Sequence, residues 1–209
     1  MAYPIFLDIS GKLCVVVGAG KVAERRVTGL IDAGALVRVV GIEASAGLVN
    51  LAKKGKLELW QQAFEPAVLD DCYLVVAATD DKVVNQRVQE CANLQDILFC
   101  GADHTTQSDF TVPASIRRGD LHIGISTGGT SPAYAKLLRR EMDAWLQDEH
   151  ADFLDLLAEL RPKVYAQHPN APELRQQFWR ELVTAENLAL VRNGELAQIK
   201  ERIDACLSS

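Results

Sequence analysis

A run of β-branched residues that stops at two glycines constrains this chain more than any other stretch. Leu13–Val17 is apolar throughout, as in a buried parallel strand, and a helical pattern begins at about Lys21. Gly18 permits a tight turn, Gly20 lacks the Cβ that would obstruct a pyrophosphate, and Ala23 lets the helix pack closely on the strand. The helix N-terminus would then face the phosphates. The pattern predicts a dinucleotide-binding turn; the alternative is a glycine turn that only packs a strand against a helix.

The composition limits the classes of protein to which the chain can belong. Its 209 residues are 48% hydrophobic and 24% charged, which suits one large domain or one domain with a helical appendage. The net charge of -6 argues against non-specific nucleic-acid binding. No apolar run is long enough to cross a bilayer, and Met1–Ser10 lacks the features of a signal peptide, so we expect a cytoplasmic protein without membrane contact. The five cysteines show no metal-ligand spacing, which predicts reduced thiols and no metal site.

The tip of the second predicted strand bears on the choice of cofactor. Leu36–Val40 runs into Gly41, Ile42 and Glu43. Proteins with a Rossmann fold usually read the ribose hydroxyls with an acidic residue at this tip. Glu43 is the nearest candidate, and its carboxylate would repel the additional phosphate of NADP, which favours NAD. The alternative is that Glu43 starts the next helix, where acidic residues are common.

A second continuous apolar run, Tyr73–Ala78, is predicted as another buried parallel strand. Its carboxyl end lies at the same edge of the sheet as the glycine turn, and ligands of open α/β sheets bind at that edge. Thr79 and Asp80 are therefore candidate cofactor neighbours. Asp80 could equally cap the helix that follows.

A third such run, Ile97–Cys100, leads into Asp103 and His104 at the same predicted edge. Either side chain could take or give a proton there. The alternative is a loop aspartate that makes an Asx turn beside an exposed histidine. The spacing alone favours neither.

Alternation replaces the buried runs beyond Phe110. Ser115–Arg117 and Leu121–Ser126 flank a tight turn and predict an antiparallel pair of strands. The loop Ser126–Pro132 is rich in hydroxyls and glycines. Its last two residues predict a helix start, with the serine hydroxyl as N-cap and proline at the first helical position.

The remainder of the chain is predicted to be helical. Apolar residues recur at helical spacing in 152–160, 172–183 and 195–207, which is typical of a small packed bundle. The first of these helices should end before Pro162, because proline lacks the N–H that would continue it.

Several of these stretches together resemble a known family. They are Gly18–Arg25, Ala77–Asp81 with the Asn85–Arg87 that follows, and Ser126–Pro132. They are similar to precorrin-2 dehydrogenase, a module that also forms the N-terminal part of bacterial siroheme synthase. The resemblance implies an α/β fold in three parts: an NAD-binding Rossmann domain at 1–112, a small β/α dimerisation segment at 113–146 and a C-terminal helical domain at 147–209.

The resemblance also implies an activity. NAD would oxidise precorrin-2 to sirohydrochlorin by accepting a hydride, while the macrocycle loses a proton. Some members of the family also insert ferrous iron to give siroheme, so ferrous iron is a candidate second substrate. A homodimer is implied as well. A regulatory domain that senses NAD without turnover is the alternative.

The family pattern assigns roles at matching positions. It places Lys21 and Val22 at the cofactor turn. Counted back from Pro113, Asp103 falls in the slot of the family's key acid, while Cys100 replaces the usual asparagine. His104 receives no role. The expected cofactor-binding residues are, in full, Gly18, Gly20, Lys21, Val22, Ala23, Ile42, Glu43, Thr79 and Asp80.

The implied substrate is rich in carboxylates, which gives the paired arginines of the chain a role. Arg117 and Arg118 are expected to meet these carboxylates, and Ser126 or Thr127 to line the site. A second arginine pair, at 139–140, is a further candidate. Iron insertion needs only transient metal contact, which suits a chain without a predicted His/Cys cluster.

Overall fold

The first half of the chain builds a five-stranded parallel sheet. A computed structural model describes residues 2–102 and 107–207. The sheet comprises β1 (Leu13–Val17), β2 (Leu36–Val40), β3 (Glu58–Trp60), β4 (Leu74–Ala77) and β5 (Leu98–Gly101), in the order β3-β2-β1-β4-β5. The intervening helices are α1 (Lys21–Asp32), α2 (Ala46–Lys53) and α3 (Lys82–Leu94), with a 3-10 turn at Pro66–Leu69. The predicted α/β fold is confirmed.

The two faces of the sheet are covered by different helices. Cys14 and Val16 of β1 pack in one hydrophobic cluster with residues of α1 and α2. Val15 and Val17 point to the opposite cluster, which contains residues of α3. Successive residues of a strand point to opposite faces of the sheet. Because helices cover both faces, the residues on both faces of each central strand must be apolar. The strand order reverses between β1 and β4, and the carboxyl ends of these strands form the edge where this fold binds ligands.

The chain divides into two units, Ala2–Val112 with the parallel sheet and a second unit from Pro113 onward. The second unit begins with an antiparallel hairpin of β6 (Ala114–Arg118) and β7 (Leu121–Ile125), as predicted. Its helices are α4 (Pro132–Trp145), α5 (Glu149–Gln167), α6 (Pro172–Leu182), α7 (Ala185–Arg192) and α8 (Leu196–Leu207). The further division of this unit into a dimerisation segment and a helical domain stays a prediction.

Helix α4 begins as its sequence predicts. The Ser131 hydroxyl accepts a hydrogen bond from the backbone N–H of Tyr134 at 3.2 Å, and Pro132 occupies the first helical position. The last helices enclose their own cluster, to which Phe153, Phe178 and Ile199 contribute. Among the described helices, none is both long and apolar enough to span a lipid bilayer.

Two predictions about the helical region are wrong or incomplete. Helix α5 does not end before Pro162 but continues to Gln167. Leu160 and Val164, on either side of the proline, are 5% and 0% exposed, so burial on both sides outweighs the missing N–H. Helix α7 has no predicted counterpart, because its two turns are too short for a recognisable apolar stripe. Its start is capped by Thr184, whose hydroxyl accepts from the Asn187 N–H at 3.2 Å.

The parallel sheet contains a charged side chain that is mostly buried. Arg38 of β2 is 15% exposed, and its Nε donates to the Glu58 carboxylate at 3.0 Å. Its Nη1 donates to the Val68 carbonyl at 3.1 Å, and its guanidinium lies 4.2 Å from the centre of the Trp60 ring. Arg38 therefore ties β2 to β3 and to the 3-10 turn.

Replacing Arg38 with methionine should lower the free energy of unfolding by about 1–3 kcal/mol, because the Val68 carbonyl and the Glu58 carboxylate lose their donor. Urea unfolding followed by circular dichroism measures the change. Arg87→Met is the matched control, since its 3.4 Å ion pair with Glu65 leaves both side chains more than half exposed. That control should stay within about 0.5 kcal/mol of the wild type. Equal losses in both variants would contradict the structural role of Arg38.

Candidate functional site

The glycine turn after β1 touches the end of β4. Gly18 has a φ of 110°, which only glycine adopts readily, and a Cβ there would overlap the carbonyl group of Ala78. The Ala78 N–H donates to the Val17 carbonyl at 2.7 Å, which holds the two segments together. Gly18 is therefore required by the backbone of the protein itself.

Gly20 plays a different part in the same turn. It is the N-cap of α1, and no side chain among the described residues caps this helix. A Cβ on Gly20 would meet no atom within 4 Å, so the space before the helix is open. Ala23 is fully buried, as the third small position of the motif requires. An open helix N-terminus with uncapped N–H groups fits the pyrophosphate of a dinucleotide.

The tip of β2 lies beside this turn. A Cβ on Gly41 would come within 2.8 Å of the Ala19 Cβ, and the Ser45 N–H donates to the Ala19 carbonyl at 2.9 Å. Ile42 is 73% exposed and Glu43 is also exposed. The alternative that Glu43 starts the next helix is wrong, because α2 begins at Ala46 with Ser45 as its N-cap. Ile42 and Glu43 therefore stand free of the helix, at the tip where ribose is read in this fold.

Thr79, which follows β4, is held by a buried asparagine. The Asn85 side chain is 2% exposed and donates to the Thr79 carbonyl at 2.9 Å. The Thr79 hydroxyl lies 2.7 Å from the Asn85 side-chain oxygen, to which it donates. Asn85 thus shapes the loop at the ligand edge, and the Thr79 hydroxyl is engaged within the protein. The sequence analysis did not identify this role, because the burial of Asn85 is seen only in the folded chain.

Helix α3 is capped by Asp81, the residue after Asp80. Asp81 accepts from the backbone N–H groups of Val83 at 2.8 Å and Val84 at 3.2 Å. The alternative that Asp80 caps this helix is therefore wrong. Asp80 is exposed in the segment that follows β4. Lys21 and Val22 are exposed at the start of α1.

At the end of β5, Cys100 is 3% exposed. Burial raises the pKa of its thiol above the usual value of 9.0, while the nearby Arg26 guanidinium and a hydrogen bond with Ser108 act in the opposite direction. The thiol is therefore protonated at neutral pH and acts as a packing group. Asp103 and His104 lie outside the described residues.

Helix α1 contains Arg26, whose side chain has a buried polar atom. Its Nε is buried and has no hydrogen-bond partner among the described residues. Its positive charge lowers the pKa of the Cys100 thiol and so opposes the effect of burial there.

In the second unit, the hydroxyl-rich loop is held in shape by its own residues. The Ser131 N–H donates to the Thr127 hydroxyl at 3.2 Å, and the Gly128 N–H donates to the Ser126 hydroxyl at 3.2 Å. Gly128 and Gly129 both have positive φ, at 61° and 82°. Thr127 closes the loop, whereas Ser126 is exposed.

The two predicted substrate arginines have different surroundings in this unit. Arg118 donates to the Asp143 carboxylate at 2.9 Å and lies 3.4 Å from the Asp148 carboxylate. Arg117 is exposed on β6, and its Nε donates to the Gly119 carbonyl at 3.0 Å. Arg118 is therefore a structural link between β6 and α4, and Arg117 is the more accessible cation. In the described part of the chain, no group of three or more His, Cys, Asp or Glu residues could hold a metal ion.

Two family models match the chain. Residues 5–114 match the family described as "Putative NAD(P)-binding", and residues 118–144 match "Sirohaem biosynthesis protein central". The first match covers more than half of the chain and confirms the predicted nicotinamide dinucleotide cofactor.

The curated relatives agree with these matches. Siroheme synthase 2 of Yersinia pseudotuberculosis serotype O:1b is 36% identical over 208 residues, which are 99% of this chain and 44% of the relative. Siroheme synthase of Photorhabdus laumondii is 33% identical over 201 residues, or 96% of this chain and 43% of the relative. The chain thus spans less than half the length of these relatives.

A solved structure of similar length is also alike. SirC, a precorrin-2 dehydrogenase, superposes with a TM-score of 0.79 at 26% sequence identity, over 96% of this chain and 100% of SirC. Fold, glycine turn and relatives agree: the chain belongs to the family described as "Putative NAD(P)-binding", and it is similar to siroheme synthases and to the precorrin-2 dehydrogenase SirC.

Proposed function

We propose that the chain is an NAD-dependent precorrin-2 dehydrogenase, which oxidises precorrin-2 to sirohydrochlorin. The observation that carries the proposal is the open, uncapped N-terminus of α1 at Gly20, in a chain that matches SirC over that protein's full length. The glycine turn would hold the cofactor pyrophosphate, while Ile42 and Glu43 would meet the adenosine. Lys21, Val22, Thr79 and Asp80 would border it.

The chemistry divides between cofactor and protein. Bound NAD supplies the acceptor for the hydride that precorrin-2 gives up. Asp103 would take the proton that the macrocycle loses, so that each turnover yields sirohydrochlorin, NADH and one proton. Cys100, a protonated packing group, would take no part in this transfer.

The acidic side chains of precorrin-2 require cations and hydrogen-bond donors. Arg117, which is exposed, and Arg118, which also donates to Asp143, would be the cations that meet these carboxylates. Ser126 would contribute an exposed hydroxyl and Thr127 the shape of its loop. Ferrous iron would be a second substrate, inserted into sirohydrochlorin. A reducing cytoplasm suits the free thiols of the described cysteines.

Asp103→Asn should lower the rate of anaerobic precorrin-2 oxidation by about 10²–10⁴-fold, because a general base is lost, while NAD affinity stays unchanged. NADH formation and the sirohydrochlorin spectrum report the rate. His104→Ala is the matched control and should keep most of the activity. Equal loss in both variants would contradict Asp103 as the base.

A wild type that binds NAD without oxidising precorrin-2 would favour the NAD-sensing alternative. Adding ferrous iron to the product tests the chelatase step.

The two glycines of the turn should respond differently to substitution. Gly20→Val should weaken NAD binding by about tenfold or more, since its side chain would enter the open space before α1, with little change in stability. Gly18→Ala should lower the free energy of unfolding by about 2 kcal/mol or more, because its φ of 110° and the Ala78 carbonyl both exclude a Cβ. Isothermal titration and thermal unfolding separate the two effects. Wild-type affinity in Gly20→Val would argue against the proposed site.

A homodimer would form through the hairpin and α4. Tyr134, Leu137 and Trp145 of α4 are 53%, 38% and 58% exposed, which is high for large apolar side chains on one helix. Light scattering should give the wild type twice the chain mass of 22.9 kDa. Tyr134→Glu combined with Leu137→Glu should reduce the mass to one chain, whereas the control Lys136→Glu should not. A monomeric wild type would refute this part of the proposal.

A further inference from the structure

The first turn of α1 sends one acidic side chain across to the start of α2. Glu24 stands four residues after Gly20, and its Oε2 accepts a hydrogen bond from the Ser45 hydroxyl at 2.6 Å. Ser45 is at the same time the N-cap of α2, since its Oγ accepts from the Leu48 N–H at 3.3 Å. The carboxylate of Glu24 is therefore linked through one hydroxyl to the N-terminus of α2.

Gly47, in the first turn of α2, makes room for this carboxylate. A Cβ on Gly47 would overlap the carboxylate group of Glu24. The φ of Gly47 is not in the left-handed region, so a side chain here would require no backbone strain but would displace the flexible end of Glu24. The helix start is thus shaped around an acidic group supplied by another helix.

The Glu24 carboxylate lies at the N-terminus of α2, a position that favours an anion. A helix N-terminus attracts negative charge, and a serine hydroxyl at the N-cap adds a donor. Glu24 fills this place with a negative charge belonging to the protein. A second anion, such as a phosphate group, would find the Ser45 hydroxyl already donating and a like charge beside it.

The N-terminus of α2 lies next to the tip of β2, where the ribose is predicted to bind. Helix α2 follows directly on the β2 tip at Ile42 and Glu43, where the adenosine ribose is read in this fold. The Ser45 N–H donates to the Ala19 carbonyl at 2.9 Å, which fixes the start of α2 against the glycine turn. The additional phosphate that distinguishes NADP from NAD is carried on that ribose.

We propose that Glu24 is a specificity-determining residue that excludes the 2′-phosphate of NADP by occupying the N-terminus of α2, and so selects NAD. The inference rests on the proposed use of a nicotinamide dinucleotide. Glu24, a carboxylate inside the βαβ unit, would then discriminate NAD from NADP in addition to the exposed Glu43 at the tip of β2. Glu24 takes no part in hydride or proton transfer.

The test is the direct binding of NADH and NADPH, followed by nucleotide fluorescence, to the wild type and to Glu24→Gln. The amide keeps the shape of the side chain and can still accept from Ser45, so the fold should persist, which thermal unfolding verifies. Wild type should prefer NADH. Glu24→Gln should bind NADPH about tenfold or more tightly than wild type does, because a like charge is removed, and added salt should reduce this gain.

Two further variants sharpen the result. Glu90→Gln, on the exposed face of α3, is the control for a general loss of one negative charge and should shift neither affinity. Glu24→Ala removes both the charge and the bulk of the carboxylate. Its gain in NADPH affinity over wild type should be at least as large as the gain of Glu24→Gln.

Three outcomes would overturn the inference. Wild type could bind both nucleotides equally, Glu24→Gln could leave their ratio unchanged, or it could weaken both alike, as a purely structural residue would. Selective NADH binding by wild type together with the NADPH gain in Glu24→Gln supports the inference even where precorrin-2 is not oxidised. In that case the proposed dehydrogenase activity fails by itself.

Discussion

The contact between the glycine turn and the end of β4 is the constraint on which the nucleotide-binding unit depends. Gly18 lies against the Ala78 carbonyl with no room for a Cβ, at the point where β1 and β4 send their chains to opposite faces of the sheet. Because this crossing is closed by backbone atoms, the open space before α1 at Gly20 is set by main-chain geometry. The loop held by Asn85 and the tip at Gly41 are positioned against the same crossing.

Much of the fold could be predicted from local pattern. The apolar strands around Gly18, the hairpin and the Ser131-Pro132 helix start each depend on residues close together in the chain, where period and capping preferences act directly. Pro162 misled the prediction because the burial of Leu160 and Val164 in α5, a matter of tertiary packing, decides the outcome there. Helix α7 is too short for its periodicity to be recognised.

The candidate site could be predicted only in part. The sequence motif locates Gly18, Gly20 and the tip of β2, since these positions follow strands and meet at one edge of the sheet. It does not reveal that Asn85 holds Thr79, or that Arg118 is engaged by Asp143, because both contacts join side chains whose orientation depends on the folded backbone. The role of Asp103 rests on family resemblance alone, since that residue lies outside the described part of the chain.

The packing of Glu24 on Gly47 also limits how such a chain can change over evolutionary time. A larger residue at position 47 would overlap the carboxylate, so the flexible Glu24 side chain would have to move away from α2 or be shortened. Ser45 is linked to both, through its hydrogen bonds to Glu24 and to the Leu48 N–H. Changes at these three positions should therefore be coupled, so we expect them to covary among homologues.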